Sequence, residues 1–259
     1  MIVLAIGDVV GKAGCDWLRR ALPDLKRKHR VDLVVANGEN AHSGNGLTPS
    51  DADFLLSSGV DVITGGNHTF RQQNVYDLLD ESDRILRPAN FPDAAPGKGY
   101  ALVDMGYTAV AVINLMGLAF LEPLDCPFEA ADRLIARAKA DGCKVILIDF
   151  HAEATSEKRA LGFYLDGQIS ALFGTHTHVQ TSDAQVLPGA TGYITDLGMT
   201  GPAQSVLGVK PEASITRLKD KVPVRFVNAE GPCVLEGCLF DIDEKSGACR
   251  SATAIRVKE

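Results

Sequence analysis

Basic charge is scarce in this sequence: 26 Lys and Arg stand against 33 Asp and Glu, a net charge of -7 at pH 7. A protein that grips nucleic acid through a broad basic surface is therefore not expected, because such affinity comes mainly from neutralising phosphates. A small anionic substrate stays open, since bound metal reverses the sign of the field inside a cleft. Closely spaced cysteines are missing as well. The six lie at 15, 126, 143, 233, 238 and 249 with no Cys-x-x-Cys pair, which argues against a disulfide framework. Cys143 opens an apolar run and reads as a small buried hydrophobe. The run Met1 to Ile6 has no basic stretch before it and meets Gly7-Asp8 after six residues, too short for a signal or a membrane span. A cytoplasmic location and no membrane partner are the expectation. Repeats, low-complexity tracts and long charge runs are also absent.

What the chain does have is core-forming material. With 259 residues and 46% hydrophobic content it can bury a sizeable core. Short apolar runs recur at Ile2 to Ile6, Val31 to Ala36, Val60 to Ile63, Val145 to Ile148 and Ile169 to Phe173. Between the early runs lie segments of helical period, such as Trp17, Leu18, Ala21, Leu22 and Leu25 within Ala13 to His29. Thr48-Pro49-Ser50-Asp51 predicts an N-capped helix start, and Thr69 followed by Gln72 a second capping box. The C-terminal third reads as strands at Gly192 to Thr195, Val222 to Val227, Gly231 to Asp243 and Ser251 to Val257, with no convincing helix. This predicts an α/β fold with parallel strands first and a closing antiparallel layer last, in one domain spanning residues 1–259. The stretch Arg87 to Pro127, rich in Pro and Gly, is expected to carry substrate-side loops.

The polar residues fall at telling places. Asp8 follows the first apolar run, Asn37-Gly38-Glu39-Asn40 the second, Gly65-Gly66-Asn67-His68 the third, His151 the Val145 run, and Gly174-Thr175-His176-Thr177-His178 the Ile169 run. In open α/β sheets, ligands bind outside the carboxyl ends of the strands, and five such ends here each deliver a metal-competent side chain. Singly, each has an ordinary reading: Asp8 as a turn or cap, Glu39 and Asn40 as loop polars, Asn67 as a left-handed turn residue, His151 as a hydrogen-bonded strand-end histidine. His176 and His178, two apart, would point both imidazoles the same way in extended chain. Together the set Asp8, Glu39, Asn40, Asn67, His151, His176 and His178 predicts a metal site.

Seven ligands exceed a four-coordinate shell, and a carboxylate such as Glu39 can bridge two ions. Imidazole, carboxylate and amide oxygen suit Mn, Fe or Zn. Paired ions roughly 3.5 to 4 Å apart clamp a phosphoryl group and generate hydroxide at neutral pH, so phosphate-ester hydrolysis is the expected chemistry. Rival motifs fail. Gly7 to Ala13 is one residue short of a phosphate-binding loop and ends without a hydroxyl, and no Gly-x-Ser-x-Gly elbow is present.

These motifs, with Arg87-Pro88-Ala89-Asn90-Phe91-Pro92 and Thr195-Asp196-Leu197-Gly198-Met199-Thr200-Gly201-Pro202, resemble the calcineurin-like metallophosphoesterases, and more closely their YmdB-like branch. The resemblance spans most of the chain. It implies a layered α/β/β/α sandwich, a dinuclear and often iron centre, cyclic-nucleotide phosphodiesterase activity on 2',3'- or 3',5'-cyclic substrates, and a homo-oligomer, to which the apolar run Ala109 to Phe120 could contribute. It also implies that one ion takes Asp8, Glu39, Asn40 and His178, and the other Glu39, Asn67, His151 and His176. His68 is then free as general acid. Where the wider superfamily has Asp-x-His, Asp8 is followed by Val9-Val10, and Asn40 fills the vacancy. Asn90, Thr155 and the Asp196 to Gly201 loop are expected to line the pocket. Two other functions remain open: a phosphomonoesterase or nucleotidase with the same centre, and a metal-stabilised regulatory module with little turnover.

Overall fold

Strands and helices alternate through the first two thirds of the chain, as the hydrophobic pattern predicts. The computed structural model describes residues 1–259. The first part runs β1 (Ile2–Ile6), β2 (Asp8–Val9), α1 (Gly11–His29), β3 (Leu33–Asn37), α2 (Pro49–Ser57), β4 (Val62–Thr64) and α3 (Tyr76–Glu81). Next come β5 (Tyr100–Asp104), β6 (Ala109–Met116), α4 (Pro127–Ala140), β7 (Val145–His151), α5 (Thr155–Tyr164) and β8 (Ala171–Thr175). The last part holds β9 (Gln185–Val186), β10 (Gly192–Ile194), β11 (Met199–Pro202), α6 (Pro211–Ile215), β12 (Cys233–Ile242) and β13 (Cys249–Lys258).

Two sheets result. One has the order β2-β11-β12-β1-β3-β4 with β13 added beside β12; the other runs β5-β6-β7-β8-β10-β9. In the first, β1, β3 and β4 are parallel; in the second, β6, β7, β8 and β10 are. Side chains alternate across each strand, so both faces of both sheets are apolar. Leu4 and Ile6 face a core shared with Leu18, Leu22 and Leu55 from α1 and α2, while Val3 and Ala5 face Val112, Leu147 and Phe240 between the sheets. Ile146, Ile148 and Phe150 face a third core with Leu134 of α4 and Leu161 of α5. Three cores between four layers make the expected α/β/β/α sandwich. Each fully buried Leu in them adds about 1.5 to 3 kcal/mol.

Local signals mostly hold. Thr48 caps α2 with a reciprocal box: its side chain accepts from the Asp51 N–H, and the Asp51 carboxylate accepts from the Thr48 N–H. The second predicted box does not form. Thr69 turns back onto the Gly66 backbone, and the chain becomes helical only at Gln73, without a side-chain cap. The C-terminal third also departs from expectation. Val222 to Val227 is not a strand, and α6 is a short helix where none was expected. β10 joins the second sheet in parallel with β8, and β12 inserts beside β1 in the first, so the antiparallel strands complete both sheets and do not form a separate layer. The cause is hydrogen bonding: the open edge of β1 needs a partner, and β12 supplies it along Ile2 to Ile6. Of the apolar run Ala109 to Phe120, the part through Met116 becomes β6 and is buried from Val110 on, so it is core, while Phe120 at the end of the run is exposed. No helix is long and apolar enough to cross a membrane.

Candidate metal centre

The carboxyl ends of β1, β3 and β4 in one sheet meet those of β7 and β8 in the other, and all seven predicted ligands come together there. Glu39 is the common member. Its Oε1 lies 3.1 Å from His151 Nε2 and 3.5 Å from Asn40 Nδ2. On one side of it, His151 Nε2 is 2.9 Å from Asn67 Oδ1 and 3.0 Å from His176 Nδ1. On the other, Asp8 Oδ1 is 3.5 Å from both His178 Nε2 and Asn40 Nδ2, and Asn40 Nδ2 is 3.2 Å from His178 Nε2. Two groups of polar side chains thus lie on either side of one carboxylate. The donor atoms of Glu39, His151 and His176 lie within 4.8 Å of one another, near enough for one ion to reach all three. Asp8, Glu39, Asn40 and His151 are buried, so charge here is not screened by water.

Electrostatics show a site that draws in positive charge. Burial opposes ionisation of Asp8, but the His178 imidazole overrides it and holds the carboxyl below its usual range. Burial likewise opposes ionisation of Glu39, and His151 overrides it and lowers the pKa. The same pairs act in reverse on the imidazoles: against the cost of burial, Asp8 pushes His178 up to about 9 and Glu39 raises His151. His176, desolvated and facing His151, is pushed down to about 4. Two raised imidazoles therefore balance two buried carboxylates, a balance that metal cations would supply by displacing the protons. Carboxylate, imidazole and amide groups converging without any thiolate fit Mn, Fe or Zn.

The backbone at His176 and His178 is not extended. Their φ angles are +104° and +61°, so the two imidazoles diverge, one toward His151 and the other toward Asp8. This corrects the expectation of a parallel pair, and it places one histidine in each group. Such conformations cost about 1 to 3 kcal/mol and need support. The support is a buried ion pair: Lys158 Nζ donates to Thr175 O at 2.9 Å and to Asp196 at 2.7 Å, and the same Asp196 oxygen accepts the Thr177 N–H. Asp8 accepts the His176 N–H. Gly174 has to be glycine here, since a Cβ would lie 1.9 Å from Thr195 O. Gly66 is required too, because a Cβ there would lie 2.2 Å from the His151 ring.

His68 sits at the mouth of the site. Its N–H holds Glu39 Oε2 at 2.9 Å and its Nδ1 is 2.8 Å from Asn40 Oδ1, while burial, opposed by Glu39, lowers its pKa. Asn90 is elsewhere in its duties: fully buried, it donates to the carbonyls of Met116 and Asp125 and accepts the Met116 N–H. It pins the loop after β6. Thr155 is exposed at the start of α5 with no partner near the ligands. From the Asp196 to Gly201 loop, Asp196 holds backbone and does not line an opening.

Sequence reasoning missed Asn37 as a hub, Asp149, Thr175, Lys158 and Glu153, whose carboxylate lies 3.1 Å from His176 Nε2. Asp149 was visible in principle as an acid inside the buried run of β7. Lys158 gave no signal, because a lysine within Thr-Ser-Glu-Lys-Arg reads as a solvated helix face.

A sequence model of the YmdB-like protein family matches residues 4–255. A Bacillus subtilis (strain 168) protein named 2',3'-cyclic-nucleotide 2'-phosphodiesterase is 51% identical over 246 residues, covering 95% of this chain and 93% of its own. A crystal structure of a novel phosphatase from Mycoplasma pneumoniae superposes with a TM-score of 0.94 at 34% identity, covering 100% of this chain and 94% of that one. The Haemophilus influenzae NAD nucleotidase shares the fold at a TM-score of 0.62 and 14% identity, over 99% of this chain and 55% of its own.

Proposed function

The chain belongs to the YmdB-like protein family, and from that premise we propose that it hydrolyses phosphodiesters, cyclic nucleotides first among them, at a centre of two divalent ions. The carrying observation is the position of Glu39 Oε1 between the Asp8, Asn40 and His178 group and the Asn67, His151 and His176 group. Iron or manganese suits the donor set first, zinc next. When bound, the ions supply the charge that clamps a phosphoryl group and acidifies water. The ligand set draws on both sheets, which favours reading residues 1–259 as one functional domain. The 2',3'-cyclic isomer is the first substrate to try, given the name of the Bacillus subtilis relative.

The chain's own residues supply the proton. Asn40 now presents Nδ2 to Asp8, Glu39 and His178, and Oδ1 to His68. The His68 imidazolium would donate from Nδ1 to Asn40 Oδ1, 2.8 Å away, and hold its second proton on Nε2, ready for the leaving oxygen. Asn40 thus orients the acid. The Gly117 N–H donates to His151 O, which supports assigning the loop after β6 to the substrate side.

The test is metal content of protein purified without chelator, read beside hydrolysis of 2',3'-cyclic AMP, 3',5'-cyclic AMP, bis-p-nitrophenyl phosphate and p-nitrophenyl phosphate. Two equivalents that disappear with activity in His151→Ala are expected. One equivalent or none refutes the dinuclear centre, and a preference for the monoester moves the function to a phosphatase, the reading favoured by the name of the Mycoplasma pneumoniae relative. A cytoplasmic homo-oligomer completes the proposal; sedimentation at 27.6 kDa would remove the oligomer.

A further inference from the structure

Behind the ligands lies a second, fully buried polar group that metal binding alone does not account for. Asp149, in the middle of β7, is 0% exposed, as is Thr175 at the end of β8. Asp149 Oδ1 accepts the Thr175 hydroxyl at 2.7 Å; its Oδ2 accepts the Thr64 hydroxyl and, at 3.3 Å, the Asn37 amide. His151 Nδ1 lies 2.9 Å from the same Thr175 oxygen. A hydroxyl has one proton to give. Three donors, Thr175, Thr64 and Asn37, converge on the two Asp149 oxygens, so the Thr175 proton goes to the carboxyl group and its oxygen is left to accept from His151.

We propose that Asp149, acting through the Thr175 hydroxyl, positions His151 by fixing its Nδ1–H tautomer, so that the Nε2 lone pair is always presented to the metal. Ligating histidines are commonly held by a direct carboxylate or carbonyl; here a threonine is interposed. The reason is geometric. Asp149 and His151 are two apart on β7, and Thr175 pairs with His151 across the strands, so its hydroxyl is the group that can reach both. Thr64 and Asn37 keep the carboxylate from turning away, and Asn37 also reaches Gly65 O at 3.1 Å, tying β3, β4, β7 and β8 at one point.

The inference rests on the metal-centre reading, so the two are tested separately. Two-bond 1H–15N spectra of His151 in metal-free protein, at a pH where the ring is neutral, read the tautomer directly; they are taken on a Glu39→Gln background, because the Glu39 carboxylate, 3.1 Å from Nε2, competes for the ring proton. Mn2+ titration with Glu39 intact reads the affinity. With Thr175 kept, or changed in Thr175→Ser, Nδ1–H and equal affinity are expected. Thr175→Val, which keeps the shape and loses the hydroxyl, should show mixed tautomers and bind Mn2+ about 10- to 100-fold more weakly. Asp149→Asn lets the hydroxyl turn toward His151, so an Nε2–H ring is expected; this variant decides the matter if the valine protein does not fold. Nδ1–H retained in Asp149→Asn, or wild-type Mn2+ affinity in Thr175→Val, overturns the proposal. Absence of Mn2+ binding in wild type would instead overturn the centre, while the spectra still decide the relay.

Discussion

The two halves of the centre are built differently. The Asn67, His151 and His176 group is tight, with contacts of 2.9 to 3.1 Å, and has Asp149 and Thr175 of the second sheet and Asn37 of the first behind it. The Asp8, Asn40 and His178 group is looser, at 3.2 to 3.5 Å, and His178 Nδ1 leans on the carbonyl of Leu207, in the Ala203 to Glu230 excursion. Several apolar side chains of that excursion, including Leu218 and Phe226, are exposed, so its own packing is thin. With a tight half and a looser half joined by Glu39, the two proposed ions would bind with unequal strength. The first is expected to hold in the tight half.

Breaking the junction should have the largest effect. Glu39→Ala removes the shared carboxylate and is expected to lower kcat/KM by at least about a thousandfold, several kcal/mol of transition-state stabilisation, with both equivalents of metal weakened. Loss of only one equivalent would deny that Glu39 is shared. Next comes the clamp that serves both halves. Lys158→Met leaves Asp196 buried without its cation, and urea unfolding should register a loss of about 3 to 5 kcal/mol. His68→Ala, which touches chemistry more than binding, should cost about a hundredfold in kcat with metal content unchanged. Because burial keeps its pKa low and the acid form is the active one, wild-type activity should fall as pH rises through that pKa, and the alkaline limb should flatten in this variant.

Asn40→Ala separates the halves most finely. One equivalent of Mn2+ should weaken by about tenfold or more while the other stays, as competition with a chelator would show. Inverting that order of affinities would show the tight half to be the weaker. The last effect is graded, about tenfold for each pH unit: with His178 held near 9 by Asp8, metal entering the looser half must displace a proton throughout the neutral range. Its affinity should fall by about tenfold per unit as pH is lowered below 9, and calorimetry in buffers of different ionisation enthalpy counts the proton.

The candidate ligands were legible because each sits just past an apolar run, where the buried stretch ends and a chemically costly residue begins. Asp8, Glu39, Asn67 and His151 all have that signature. Asn90 looked similar but its amide is consumed by the Met116 and Asp125 backbone, a use that only the packed loop could reveal. Thr69 failed as a cap because its hydroxyl oxygen already accepts the Gly66 N–H, three residues back.

Local pattern thus determined the alternation of strands and helices, the buried faces and the residues at the strand ends, since those depend on side-chain periodicity within a few positions. Tertiary structure decided how the ends of two sheets meet, that β12 would insert beside β1, and that His176 and His178 would turn apart into separate halves. These depend on contacts between residues such as Lys158 and Asp196, or Asp149 and Thr175, that lie 38 and 26 positions apart. Periodicity carries no record of such pairs.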